Sequence, residues 1–319
     1  MTPARSGIAF VLIIAMFIGA SFLISLVVMR GGSLKLTLFQ DIILSEGMVL
    51  LPALLIATVS GSEVGEIFRC KKIKPGTCIL VVLFIFCLEP LVSAVNAFSL
   101  LFTDNVAADI AEQYINGDSN FMYVALIMAI IGPLAEELTF RGIIYAGLRK
   151  SGRLLGAIIL QALLFGLMHL NFNQMSYAFV LGVAFGILNE VTNSLWPGII
   201  GHFMINFGSV AGAFAIKKYM PEALAQESSR ADLIYAFTFF IMLSVLFTGI
   251  AVLILIAISK HEPGGRFRLH RIFHASDLKA VTCTGELVTV KRPHVITVPV
   301  VIGIVIALVQ MIAMLVMGM

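Results

Sequence analysis

Two adjacent glutamates and an arginine interrupt an otherwise apolar stretch, Gly132-Pro133-Leu134-Ala135-Glu136-Glu137-Leu138-Thr139-Phe140-Arg141-Gly142. Further on, Phe165 stands four residues before His169 and His202 four residues before Asn206, again inside apolar runs. That spacing puts each pair on one face of a helix. A charged side chain at mid-bilayer costs ~2.5–3.5 kcal/mol on insertion scales, so three of them cost on the order of 8–10 kcal/mol before any pairing. Glu137 and Arg141, at i and i+4, can neutralise each other, either as a buried lock or as part of a site. Glu136 is rotated by about 100° from Glu137 and has no partner in its own helix. It must find one on another helix, take up a proton, or face a watery cavity. His169, His202 and Asn206 are its obvious polar partners, and acids and imidazoles held inside lipid are groups that move protons. Taken singly, each histidine, and Asn206 still more, also reads as a hydrogen-bonding contact between packed helices.

The elements that must position these residues are membrane spans. Of 319 residues, 60% are hydrophobic and 12% charged, with a mean hydropathy of +1.03. A soluble domain carries about 25% charged residues. The deficit leaves too little polar surface for water and directs most of the surface to lipid. Runs of ~20 apolar residues fall at roughly 8–29, 41–60, 77–101, 121–147, 154–170, 175–191, 195–216, 232–258 and 295–318. The first run lacks a small-residue cleavage site and reads as a retained helix. The runs 154–170 and 175–191 are short, so they tilt little or are partly re-entrant. The fold class is all-α, a polytopic membrane protein of about eight or nine transmembrane helices.

Orientation follows the basic residues. With a cytoplasmic N-terminus and nine spans, fifteen Lys and Arg lie on the cytoplasmic side and five outside, and Arg141 is inside the membrane. Segment 102–120 has no base and four acids (Asp104, Asp109, Glu112 and Asp118), as an outer segment should. This places the chain as a multi-pass protein of the cell membrane. Segment 259–294 is a basic cytoplasmic loop with the run Arg266-Phe267-Arg268-Leu269-His270-Arg271, suited to anionic lipid heads. Its tail, Ala280 to Val290, alternates Thr and Val around Gly285 and fits a short hairpin. His270 and His274, with Cys283 nearby, are too few and too loosely ordered for a zinc site. Cys70, Cys78, Cys87 and Cys283 form no CxxC pair and read as small apolar residues. Glu46, Glu89 and Glu190 are expected as interface or helix-end acids, and His261 and His294 as loop residues. No repeat, phosphate-binding glycine loop or nucleic-acid motif appears.

In order, Glu136-Glu137-x-x-x-Arg141, Phe165-x-x-x-His169 and His202-x-x-x-Asn206 resemble the three motifs of the type II CAAX prenyl endopeptidase and bacteriocin-processing (CPBP or Abi) intramembrane proteases. The resemblance covers the chain from about residue 121 to 216. It implies N-terminal transmembrane helices over 1–120, a catalytic core over 121–216, and C-terminal transmembrane helices over 217–319 that include the basic loop 259–294. It also implies an intramembrane polar cavity and hydrolysis of a peptide bond in a membrane-associated peptide or protein, prenylated or carrying a leader. Membrane lipids are the other expected partners, and nucleic acid is not one. Glu136 would be the catalytic carboxylate and His169 would help to hold and activate water. His202 and Asn206 would bind the developing oxyanion, and Glu137, Arg141 and Phe165 would support them. Such roles are chemically sound: attack on an amide needs a base, and preorganised donors at the oxyanion are worth ~3–4 kcal/mol each. No cofactor is expected, since HExxH is lacking and Asn is a poor zinc ligand. The alternative is a Zn²⁺ held by Glu136, His169 and His202 with an open position for water. Two other classes remain, a proton-coupled transporter and a non-catalytic scaffold. Gly132-Pro133 and Trp196-Pro197-Gly198 lend the transporter little support.

Overall fold

The structure is a computed structural model that describes residues 1–33, 35–105, 120–220, 229–274, 279–281, 287–289 and 293–317, with the backbone alone at 279–281 and 287–289. Asp109, Glu112, Asp118, Cys283 and the turn around Gly285 lie outside the described residues. Eleven helices are described: α1 Pro3–Met29, α2 Leu38–Val59, α3 Val64–Ile67, α4 Pro75–Ser99, α5 Phe121–Arg149, α6 Leu154–Met168, α7 Phe172–Thr192, α8 Trp196–Tyr219, α9 Arg230–His261, α10 Gly265–Phe273 and α11 Val298–Met317. Among the described residues, eight are long and apolar enough to cross a membrane, and α6 is a ninth, shorter apolar helix. The protein is an all-α integral membrane protein, as its composition requires.

Burial shows which helix is central. In the most apolar 18-residue window of α7, 61% of the residues are buried, against 17% for α9 and 11% for α1. Helix α7 packs on α6, α4 and α8, with α5 alongside, while α1, α2, α9 and α11 form the outer shell. The small residues of the centre allow this closeness: a methyl group on Gly182 of α7 would stand 2.7 Å from the Ala162 methyl of α6.

Helix α6 has 15 residues, so it rises about 22 Å and stops short of the ~30 Å hydrocarbon core. The end is made by tightening: the N–H groups of His169 and Leu170 bond carbonyls three residues back, and Leu170 takes φ +55°. A leucine in that left-handed region costs about 1–2 kcal/mol. Asn171 then caps α7, its Oδ1 accepting from the N–H of Gln174 at 2.7 Å.

Helix α5 departs most from regular geometry. Its segments Ile127–Ile131 and Leu138–Ile144 are wound as π-helix, with hydrogen bonds reaching back five residues. In the first, the Gly132 N–H bonds the Ile127 carbonyl. The next donor in that register would be Pro133, which has no N–H, so the Met128 carbonyl is left open. Asn206 of α8 fills the gap, its Nδ2 donating to that carbonyl at 3.0 Å.

The described residues of the segment 259–294 include a helix end, a further helix and two strands. Helix α9 runs to His261, and Gly264 (φ +69°) turns the chain into the amphipathic α10. Leu269 and Ile272 of α10 pack on the main core while Phe267 stays exposed. His261 ends a helix instead of lying in a loop, with its Nδ1 2.9 Å from Thr77 Oγ1. Two strands follow, β1 Lys279–Val281 and β2 Leu287–Thr289, paired antiparallel with Ala280 opposite Val288. That is the hairpin read from the Thr–Val alternation.

Candidate active site

Three helices bring the polar residues of the apolar runs to one place. Glu136 lies in α5, His169 follows the last turn of α6, and His202 lies in the second turn of α8. Glu136 Oε2 stands 3.5 Å from His202 Nε2, and Glu136 Oε1 stands 4.0 Å from His169 Nε2. The Glu136 side chain is 13% exposed, whereas Glu137 and Arg141 are completely buried. Glu136 therefore faces the partly open side of the cluster and Glu137 the packed side, as their 100° separation on the helix requires.

The outer nitrogens of both imidazoles are assigned by their partners. His202 Nδ1 is 3.1 Å from Glu137 Oε1, and a carboxylate can only accept, so Nδ1 carries the hydrogen. His169 Nδ1 is 3.0 Å from the Phe165 carbonyl and donates for the same reason. In its neutral form each ring then turns a lone pair on Nε2 toward Glu136. The three groups that face one another are thus all acceptors, with gaps of 3.5 and 4.0 Å between them. Something that donates, water hydrogens or a proton, is chemically called for at their centre.

Behind this front the support is dense. Arg141 Nη1 lies 2.9 Å from Glu137 Oε1, yet no guanidinium nitrogen of Arg141 makes an aligned hydrogen bond among the described residues. The contact is a charge pair more than a directed bond. Its guanidinium carbon also lies 4.1 Å from the centre of the Phe165 ring and 5.3 Å from that of Phe185. Phe165 meets the rings of His169 and His202 edge-on at 5.2 and 5.8 Å. One aromatic side chain thus touches both imidazoles and the arginine. Gly198 shapes the other wall, because a methyl group there would come 2.5 Å from Glu137 Oε2.

Asn206 is held at the Met128 carbonyl by one amide hydrogen, which leaves its second N–H and its Oδ1 for another role. Three nearby residues were not read from the sequence as part of this site. Phe185 of α7 lies tilted against His202, with ring centres 5.6 Å apart. Tyr177 of α7 and Glu46 of α2 are within electrostatic reach of Glu136. Glu46 Oε1 would be 3.6 Å from a methyl group at Gly132, and its Oε2 is buried without a hydrogen-bond partner among the described residues. Glu46 was expected as an interface acid; the only sequence signal was its place in an apolar run. Among the described residues no group of three His, Cys, Asp or Glu side chains is arranged to hold a metal ion. The two imidazoles face different oxygens of Glu136, so a zinc ion would require the three to close up.

Residues 118–208 match the family model described as type II CAAX prenyl endopeptidase Rce1-like, a segment that contains all seven motif residues. Over 110 residues the chain is 27% identical to "Putative membrane peptidase YdiL" of Bacillus subtilis (strain 168), covering 34% of this chain and 43% of that protein. It is 34% identical over 115 residues to "Membrane-embedded CAAX protease MroQ" of Staphylococcus aureus (strain USA300), covering 34% of this chain and 44% of that one. The chain thus spans less than half the length of the curated relatives it matches. No solved structure matches. The family resemblance carried by the three motifs is supported by both comparisons.

Proposed function

We propose that this protein is a membrane-embedded endopeptidase of the CAAX-protease type that hydrolyses a peptide bond in a membrane-associated peptide or protein. The observation that carries this reading is the convergence of Glu136, His169 and His202 from three helices, with a carboxylate and two Nε2 lone pairs around one gap. Water in that gap would give its hydrogens to these acceptors, and Glu136 would take the proton lost as the oxygen attacks the amide carbon. His169 would hold the same water. As a neutral ring His202 accepts at Nε2, so it becomes an oxyanion donor only after taking a proton there. Asn206 has a permanent donor in its second amide hydrogen. The amine leaving group then takes the proton from Glu136, which restores the carboxylate.

The zinc version of the site has one point in its favour: both imidazoles are pinned at Nδ1 by acceptors, as metal-bound histidines are. In that version Glu136, His169 and His202 would hold the ion, which would supply an activated water between them. We place the N-terminus in the cytoplasm of a cell-membrane protein. Arg69, Arg149, Lys74, Lys150 and Arg268, which sequence counting assigns to one side, do meet at one end of the bundle.

Cleavage of a membrane-presented peptide by the purified chain in proteoliposomes tests the reading. Glu136→Ala, His169→Ala and His202→Ala should each abolish cleavage, and metal analysis with chelator treatment separates the two hydrolytic versions. Full cleavage by all three variants, or solute flux with no proteolysis, would mean the site is misassigned.

A further inference from the structure

At the end of the bundle where α5 and α7 finish, a second polar constellation surrounds a cavity of about 240 Å³. At ~30 Å³ per water this is the room of roughly eight waters. Arg69, Lys71, Arg149 and Lys150 line it, with Glu66 and Asn193. The chain folds to make it: the Leu195 N–H donates to the Arg69 carbonyl at 2.9 Å and Ser194 Oγ to the Lys71 carbonyl at 2.6 Å. These bonds hold the loop after α3 against the turn that leaves α7.

The charges do not cancel. Glu190 beneath the cavity accepts from Arg69 and Arg149, and Glu66 at the rim accepts from Lys150. With the N-terminal ammonium of Met1 also on the wall, five cations face two carboxylates and leave a surplus of positive charge. Arg69 is 7% exposed, its Nη1 is spent on Glu190 and, at 3.5 Å, on Asn193 Oδ1. Its Nη2 is buried with no partner among the described residues. Arg69 thus lines the cavity with a guanidinium only partly satisfied by the protein, a group suited to an acceptor with several oxygens. Lys71 is exposed at the mouth and makes no ion pair among the described residues.

We propose that this cavity is a binding site for a phosphate monoester. The surplus of positive charge suits the ≈ −1.5 to −2 charge of that group near neutral pH, which neutralises more of it than the single charge of a carboxylate or phosphodiester. The group has two sources, a lipid headgroup ending in a phosphomonoester, which the position at the end of apolar helices favours, or free phosphate from the aqueous side. The site stands apart from the proposed hydrolytic centre and does not depend on that function.

The test uses the full chain, with native mass spectrometry and thermal shift in the presence of phosphatidic acid, phosphatidylglycerol or inorganic phosphate. Saturable binding of phosphatidic acid, at least tenfold tighter than phosphatidylglycerol, supports the lipid source. Equal binding of inorganic phosphate supports the soluble source. Lys71→Ala should weaken either by about fivefold to tenfold, and Glu66→Gln, which frees Lys150, should tighten it. Two results overturn the proposal: no saturable binding of any phosphomonoester, or binding that Lys71→Ala and Lys150→Gln leave unchanged in variants that keep the wild-type melting profile.

Discussion

Glu136 and Glu190 are both acidic side chains set among packed helices, and their surroundings are opposite. Glu190 is saturated: Oε2 accepts from Arg69 Nη1, Arg149 Nε and Tyr145 Oη at 2.9, 2.9 and 3.2 Å, and Oε1 from Arg149 Nη2 at 2.9 Å. Among the described residues Glu136 makes no hydrogen bond or ion pair shorter than the 3.5 Å to His202 Nε2, and the two imidazoles that face it turn lone pairs toward it. A carboxylate with four donors has no reason to take a proton and has every reason to stay where it is. One faced by lone pairs leaves a place for a hydrogen donor such as water. The first is a lock between α7, the end of α5 and the loop carrying Arg69; the second is where chemistry is expected.

This contrast can be broken by exchanging the two acids for amides. Glu136→Gln should lower cleavage by ~10²–10⁴-fold, the worth of a general base, with little change in melting temperature. Glu190→Gln should do the reverse. It leaves Arg69 and Arg149 without their counter-charge at a loss of about 3–5 kcal/mol, at the low end because the Arg149 side chain is 33% exposed. The fraction that stays folded should cleave normally. If Glu136→Gln melts early, or Glu190→Gln is stable and inactive, the roles are interchanged.

A smaller effect sharpens the boundary between the reactive front and its support. Gly198→Ala puts a methyl group against Glu137 Oε2 and the Asn189 side chain, an overpacking worth ~1–3 kcal/mol. Because His202 leans on Glu137, the displacement should also reduce cleavage, by up to ~10²-fold per ångström of misplacement. Substrate affinity should change less than turnover, which steady-state kinetics would separate.

The smallest effect is expected at the rim. Lys150 holds the Glu66 carboxyl below its ordinary value of 4.5. A lowered value stabilises the fold above the ordinary value and loses that contribution as the pH falls through the lowered one. Both side chains are about half exposed, so water and salt screen the pair. Glu66→Gln should leave the melting temperature unchanged from pH 6 to 8, which a pH series of thermal melts would check.

Much of this was legible in the sequence because lipid imposes simple rules. A backbone in hydrocarbon must bond to itself, so apolar runs of sufficient length become helices, and the expected spans from 8–29 to 295–318 each have a described helix. The division of the two adjacent acids followed from helix geometry alone, since one step of 100° cannot keep both Glu136 and Glu137 beside Arg141. At the two clusters the misses are contacts between helices distant in sequence. Glu46 carried no spacing signal that links α2 to α5, and Phe185 looked like any other core aromatic of α7. Glu190 looked like a helix-end acid, while its partners Arg69 and Arg149 looked like bases facing anionic lipid.

The sequence by itself determined the class of molecule, the helices, the pairing of Glu137 with Arg141 and the need of Glu136 for a partner, because each is a local consequence of placing apolar and charged residues in lipid. Only the tertiary structure decided which partners meet. The short α6, ended by Leu170 in a left-handed conformation, leaves His169 beside Glu136. The hydrogen-bond gap opened by Pro133 in α5 is filled by Asn206 of α8. Hydropathy sets how long a helix is and which way it crosses; where its side chains end depends on the neighbours it packs against.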